Sequence, residues 1–272
     1  MPHLPRNLAD LALPSRFGKR FNLPITKLIC QNARDIPIIP RIMQDGLVRY
    51  VFQLPGEALT FEIDTTGAVP QTRIDYPEWT RLAHQQCACC PLYADQAMYC
   101  PAATRVHHLL EAFAQKTSIE RVQVLVQTAQ RTYQGDVDLQ VGVNSLLGLL
   151  MATSGCPVLD PLKSMAQFHL PFSTTEETLS RTLGAYLTEQ YCIAQKGGDP
   201  DWALDGLRAL YKRLETLNQD FSKRIQGRVQ GDAMANAIIL FFATSVLVNA
   251  SLEEKLAAKV TRGTGKAGDR RG

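Results

Sequence analysis

The chain has 272 residues, 45% of them hydrophobic and 20% charged, with 18 glycines and 15 prolines. That length buries a full core without disulfide or metal staples, and the composition excludes a fibrous or wholly disordered protein. Its 29 basic and 26 acidic residues leave a net charge of +3, too little for a nucleic-acid footprint, so no nucleic-acid partner is expected.

Pro2, Pro5, Pro14, Pro24, Pro37 and Pro40 interrupt every helix the opening segment could form, because each removes a backbone donor and biases the preceding residue toward extended geometry. Residues 1–42 read as a basic proline-rich extension. Arg16, Lys19, Arg20, Lys27 and Arg34 occur there without an acid between 11 and 34, a composition that also suits an organelle transit peptide. The apolar stretch of a secretory signal is missing, so the thiols are expected reduced and the location cytoplasmic.

A single α+β domain is expected over 43–250, a small antiparallel sheet packed against a mainly helical C-terminal bundle. Alternation from Val48 to Leu54, the turn pair Pro55-Gly56, and alternation again from Leu59 to Asp64 predict a hairpin. A second strand pair is expected at 121–128 and 131–133. Val106, Leu109, Leu110 and Phe113 mark a helix over 101–115, and another is predicted over 137–152, ending at Ser154-Gly155. Asp136 and Asp138 are read as carboxylates opening that helix.

In the C-terminal half, Ser173 with Glu176, or Thr174 with Glu177, can form a capping box, and Gly197-Gly198 ends that helix. Asp199-Pro200 is predicted to start the next one, with Asp199 as N-cap. Leu207, Leu210, Tyr211, Leu214, Leu217, Phe221 and Ile225 then form one apolar stripe. A final helix over 233–248 is apolar nearly all round, which predicts burial in the bundle or a homo-oligomer or partner seam. Its apolar core, 237–248, is too short for a span, so no membrane crossing is expected. Residues 251–272 read as a disordered basic tail.

The chemistry sits in the cysteines. Cys87 and Cys90 have the C-x2-C spacing that lets two sulfurs reach one metal, Cys100 follows, and Cys156 can complete four ligands for an iron–sulfur cluster or zinc. Cys90, Cys100 and Cys156 each precede a proline, which places the thiol near a helix start where the macrodipole favours a thiolate. Cys89 should point away, and Cys30 and Cys192 are expected to fill core gaps. Among the histidines, His84 and His107 are spare zinc ligands, while His108 points outward. Redox or thiol chemistry without metal is the competing use of the same residues. In its sharpest form it is a thiol enzyme with Cys156 as nucleophile, His169 as base, and Glu176 or Glu177 orienting the ring. A third reading is an oligomerisation or partner-binding protein without metal. No Walker loop, GxGxxG, GxSxG or HExxH occurs.

Trp79-Thr80, Cys87-Ala-Cys-Cys90-Pro-Leu, Tyr99-Cys100-Pro-Ala, Thr153-Ser-Gly-Cys156-Pro and Phe168-His-Leu-Pro-Phe172 together resemble a family of bacterial proteins of unknown function, over roughly 45–248. Its pattern runs C-x-x-C-P-L, Y-C-P, T-S-G-C-P and F-H-L-P-F, so Cys87, Cys90, Cys100, Cys156 and His169 fall on motif positions. Cys89 is peculiar to this chain. The resemblance implies a bacterial cytoplasmic protein, speaks against a transit peptide, points to Met43 rather than Met1 as a start, and implies no activity.

Overall fold

The computed structural model describes residues 43–66, 75–95, 97–226 and 232–264, with side chains through residue 251. The predicted extension with Cys30, and residues 265–272, lie outside the described residues. Four strands, β1 (Leu47–Leu54), β2 (Glu57–Asp64), β3 (Arg121–Gln127) and β4 (Thr132–Asp138), form an antiparallel sheet in the order β2-β1-β3-β4. Six α-helices occur among the described residues: α1 (Pro101–Ala112), α2 (Leu139–Ala152), α3 (Lys163–Gln167), α4 (Thr175–Gln195), α5 (Asp205–Ile225) and α6 (Asp232–Thr264). The protein is α+β, with the helices mostly C-terminal.

Strict alternation gives the sheet one apolar face. Val48, Tyr50, Phe52 and Leu54 of β1 are buried beside Leu59, Phe61 and Ile63 of β2 and Val122, Val124 and Val126 of β3. The register sets Tyr50 opposite Phe61 and Val126, and Phe52 opposite Leu59 and Val124. On the other face Arg49 pairs with Glu62 at 2.7 Å. Gly56, at φ +80°, supplies the left-handed residue of the β1–β2 turn.

α1 and α2 cover the apolar face, with Phe113 after α1 stacking on Phe61 and meeting Phe52 edge-on. α2 is buried on several sides, because α6 packs against it opposite the sheet, and α4 and α5 flank α6. The result is three layers: sheet, α1–α2, and α4–α5–α6.

Several boundaries differ from the sequence reading. Val137 continues β4 instead of opening α2, since β3 extends far enough to pair with it, and Asp136 and Asp138 serve Arg121 as ion-pair partners at 3.2 and 3.3 Å. Neither carboxylate caps the helix. α5 begins at Asp205, not at Pro200. The Asp201 carboxylate accepts from the Asp205 and Gly206 N–H groups and from Tyr186 Oη, so it caps the helix across an irregular turn in which Leu204 takes φ +63°. The capping box is the Thr174–Glu177 pair, and Gly155 and Gly197 take the left-handed geometry expected of helix ends. Cys192 is exposed on α4 rather than filling a core gap.

α6 runs to Thr264, past the end expected at 248. Thr244 and Ser245 interrupt the apolar composition but not the helix, because their hydroxyls donate back to the carbonyls of Leu240 and Phe241 at 2.9 and 3.3 Å. Its segment Asp232–Ser251, mean hydropathy 1.8, is long and apolar enough to cross a membrane by length and composition alone. In the fold it packs on α2, α4 and α5, burying Met234, Ala237, Ile238 and Val248 and leaving Ile239, Val246 and Leu247 exposed.

Candidate metal centre

The loop from 75 to 100 doubles back on itself. Arg81 and Tyr99 form an antiparallel bridge, Leu82 N–H donates to the Met98 carbonyl, and Cys100 N–H donates to Thr80. This closure returns Cys100 to the side of Cys87 and Cys90, whose own C-x2-C turn is closed by Cys90 N–H on the Cys87 carbonyl at 3.0 Å. Cys100 is the N-cap residue of α1, in extended geometry with Pro101 at the first helical position, as the sequence predicts. Cys156 arrives from the other half of the chain. α2 ends at Thr153, Gly155 turns the backbone at φ +79°, and Ser154 Oγ accepts from Cys156 N–H at 3.2 Å.

Cys87, Cys90, Cys100 and Cys156 line one small pocket of about 10 Å³, walled by Leu82, Leu92, Val158, Leu217 and Phe221. The sulfurs share this pocket without forming a close cluster: no three of them lie within 4.8 Å of one another among the described residues. A tetrahedral zinc with Zn–S bonds of ~2.3 Å would set them about 3.8 Å apart. A multi-iron core, whose atoms lie between the sulfurs, would hold them farther apart than that. Zinc therefore requires the thiols to turn inward, whereas a multi-iron core fits sulfurs spaced wider than that.

Burial pushes the Cys87 thiol up to about 12 and the Cys156 thiol up to about 11. The acidification expected of Cys156 at a helix start is not found, because desolvation outweighs the Val158 and Leu159 amides that favour its thiolate, and only a short turn follows it. Cys89 points away, its thiol directed at the Arg213 carbonyl of α5 at 3.7 Å.

Sequence reasoning missed the cation beside these thiols. Arg224 of α5 borders the pocket at 1% exposure and donates to the carbonyls of Trp79, Arg81, Leu82 and Gln85 at 3.1, 2.7, 3.2 and 3.2 Å. Its Nε is buried without a hydrogen-bond partner among the described residues. Asp220, one turn earlier, accepts from Ala88 N–H at 2.8 Å, so α5 clamps the cysteine loop at two points. The signal was present in the stripe, since position 224 follows Leu217 and Phe221 at helical spacing and a cation on an apolar face calls for a partner.

The remaining expected ligands lie elsewhere. His107 and His108 share a second metal-capable group with Glu111, their donor atoms within 4.8 Å of one another. His107 is buried, with Nδ1 bonded to the Thr104 carbonyl at 2.8 Å, so the packing role is filled within its own turn. His84 does not line the cysteine pocket. His169 does not meet Cys156: its Nε2 bonds Tyr50 Oη at 2.5 Å, and it lines a different cavity. Glu177 is engaged in the Thr174 capping box, and with His169 in the other cavity the described residues do not bring the expected Cys–His pair together.

No curated protein and no solved structure matches the chain. A family model described as a domain of unknown function, DUF6901, matches residues 48–261, a span that takes in the sheet, the cysteine loop, Cys156 and the clamp from α5, and the chain belongs to that family.

Proposed function

We propose that Cys87, Cys90, Cys100 and Cys156 hold an iron–sulfur cluster or a zinc ion, in a cytoplasmic protein where the centre has a redox, regulatory or structural role. The observation that carries this reading is Arg224. A guanidinium this deeply buried, with carbonyls but no carboxylate as partners among the described residues, suits a neighbouring centre of net negative charge. Four thiolates around zinc or around a cluster supply that charge. The high thiol pKa values are compatible with it, since metal binding displaces the protons and makes ligation pH-dependent. Anaerobic purification with an absorption spectrum and metal analysis is the test. Near-stoichiometric iron with visible absorption, or near-stoichiometric zinc without it, is expected. Replacing any one of Cys87, Cys90, Cys100 or Cys156 with serine should lower metal content and stability together, whereas Cys89→Ser should change neither much. A colourless, metal-free protein would overturn the reading, as would full metal content in Cys156→Ser.

A second reading, a helical oligomer without metal, is favoured by the exposed Ile239, Val246 and Leu247 on α6.

A further inference from the structure

A cavity of about 160 Å³ lies between α2, the α3 segment, the 168–173 loop, α4, α5 and α6, and shares no lining residue with the cysteine pocket. Leu149, Leu214, Phe241 and Val248 give it apolar walls, and Arg181, His169 and Asn144 bring hydrogen-bonding groups to it. An apolar cavity of about 150 Å³ accepts benzene, so this one has room for a body of about one ring.

Two of the polar groups, Arg181 and His169, present donors to the cavity. Arg181 spends Nη2 on the carbonyls of Met165 and Phe168, both at 2.7 Å, leaving Nε and Nη1 without a partner among the described residues. Glu177 attracts Arg181 through space, but its carboxylate is bonded to Thr174, and Arg181 makes no ion pair among the described residues. His169 is fixed by a relay. Phe172 N–H donates to Ser145 Oγ at 3.1 Å, Ser145 and Tyr50 hydroxyls meet at 2.8 Å, and Tyr50 Oη meets His169 Nε2. Every proton finds an acceptor when Ser145 donates to Tyr50 and Tyr50 donates to Nε2. That order leaves the proton of the neutral ring on Nδ1, which has no partner among the described residues. A half-buried cation with two open donors and an imidazole N–H beside it are complementary to a carboxylate. Asn144 Oδ1, buried without a partner among the described residues, is an acceptor and takes no part in holding the carboxylate.

We infer that this cavity binds a small monocarboxylate with an apolar body of about one ring, its carboxylate held by Arg181 and His169. Calorimetric titration of the full chain with benzoate, and with benzyl alcohol as the uncharged analogue, tests it. Benzoate should bind saturably, and about tenfold or more tighter than benzyl alcohol, because a charge-assisted pair is lost in the alcohol. Arg181→Gln should weaken benzoate by a similar factor and leave benzyl alcohol within about threefold. Since Arg181 also ties down the 165–168 backbone, Gly148→Leu provides a second arm. A Cβ at Gly148 meets only Phe241, at 3.6 and 3.9 Å, so the added side chain fills the cavity and should abolish binding of both probes in a folded protein. Absence of saturable benzoate binding to the wild type overturns the inference. So does equal affinity for the two probes, or benzoate binding that survives Gly148→Leu.

Discussion

At the scale of single residues, burial decides what His169 does. Desolvation first, and the charge of Arg181 second, push its pKa down to about 3, so the ring is neutral when folded. In the unfolded chain a histidine titrates near about 6.5. Between those values the unfolded state binds a proton that the folded state refuses, so the stability this group contributes is fully present above about pH 6.5 and is lost as pH falls toward 3. The loss amounts to at most about 1.4 kcal/mol per pH unit in that window, and less where solvent in the cavity reaches the ring. Urea unfolding at pH 7.5 and 5.5 should therefore show a larger loss for the wild type than for His169→Asn, and equal losses would refute the assignment. Arg224 is buried in a different setting, with its guanidinium donating to four backbone carbonyls. Its place on the apolar stripe of α5 was visible in the sequence, but the loop that supplies those carbonyls lies 139 to 145 residues away.

At the scale of elements, α2 is the helix on which both sites depend. Its first half lies against the sheet so closely that a Cβ on Gly142 would come within 2.9 Å of Phe52 and 3.0 Å of Val124. Phe52 cannot yield, being packed among Tyr50, Phe61 and Phe113. Gly142→Ala is expected to destabilise by about 1–3 kcal/mol despite alanine's better helix propensity, read as a lower urea midpoint. A rise in stability would show that the helix can lift from the sheet. The same helix sends Ser145 to the Tyr50–His169 relay and delivers Cys156 from its C-terminal end. Apolar spacing located α1 and α5, and capping and glycine signals located α4 and the end of α2, because both are local properties. Such signals misplaced the starts of α2 and α5, where a strand partner in one case and the Asp201 carboxylate in the other settle the boundary.

At the scale of the molecule, α6 closes the bundle and leaves Ile239, Val246 and Leu247 at the surface. If that face joins two copies, light scattering of the wild type gives a dimer or larger, and Leu247→Glu returns it to the monomer mass; a wild-type monomer removes the oligomer reading. The sequence by itself determined the class of fold, the hairpins, the stripe of α5 and the four cysteines, since each follows from alternation, helical spacing or residue type along a short stretch. The tertiary structure alone decided that Cys156 shares a pocket with the 87–100 loop, that Arg224 borders it, and that His169 belongs with Tyr50, Ser145 and Arg181 instead of with Cys156. Those groupings depend on which faces meet when α2 is pressed between the sheet and α6, and on desolvation that exists only once they have met, and neither is encoded in the spacing of residues along the chain.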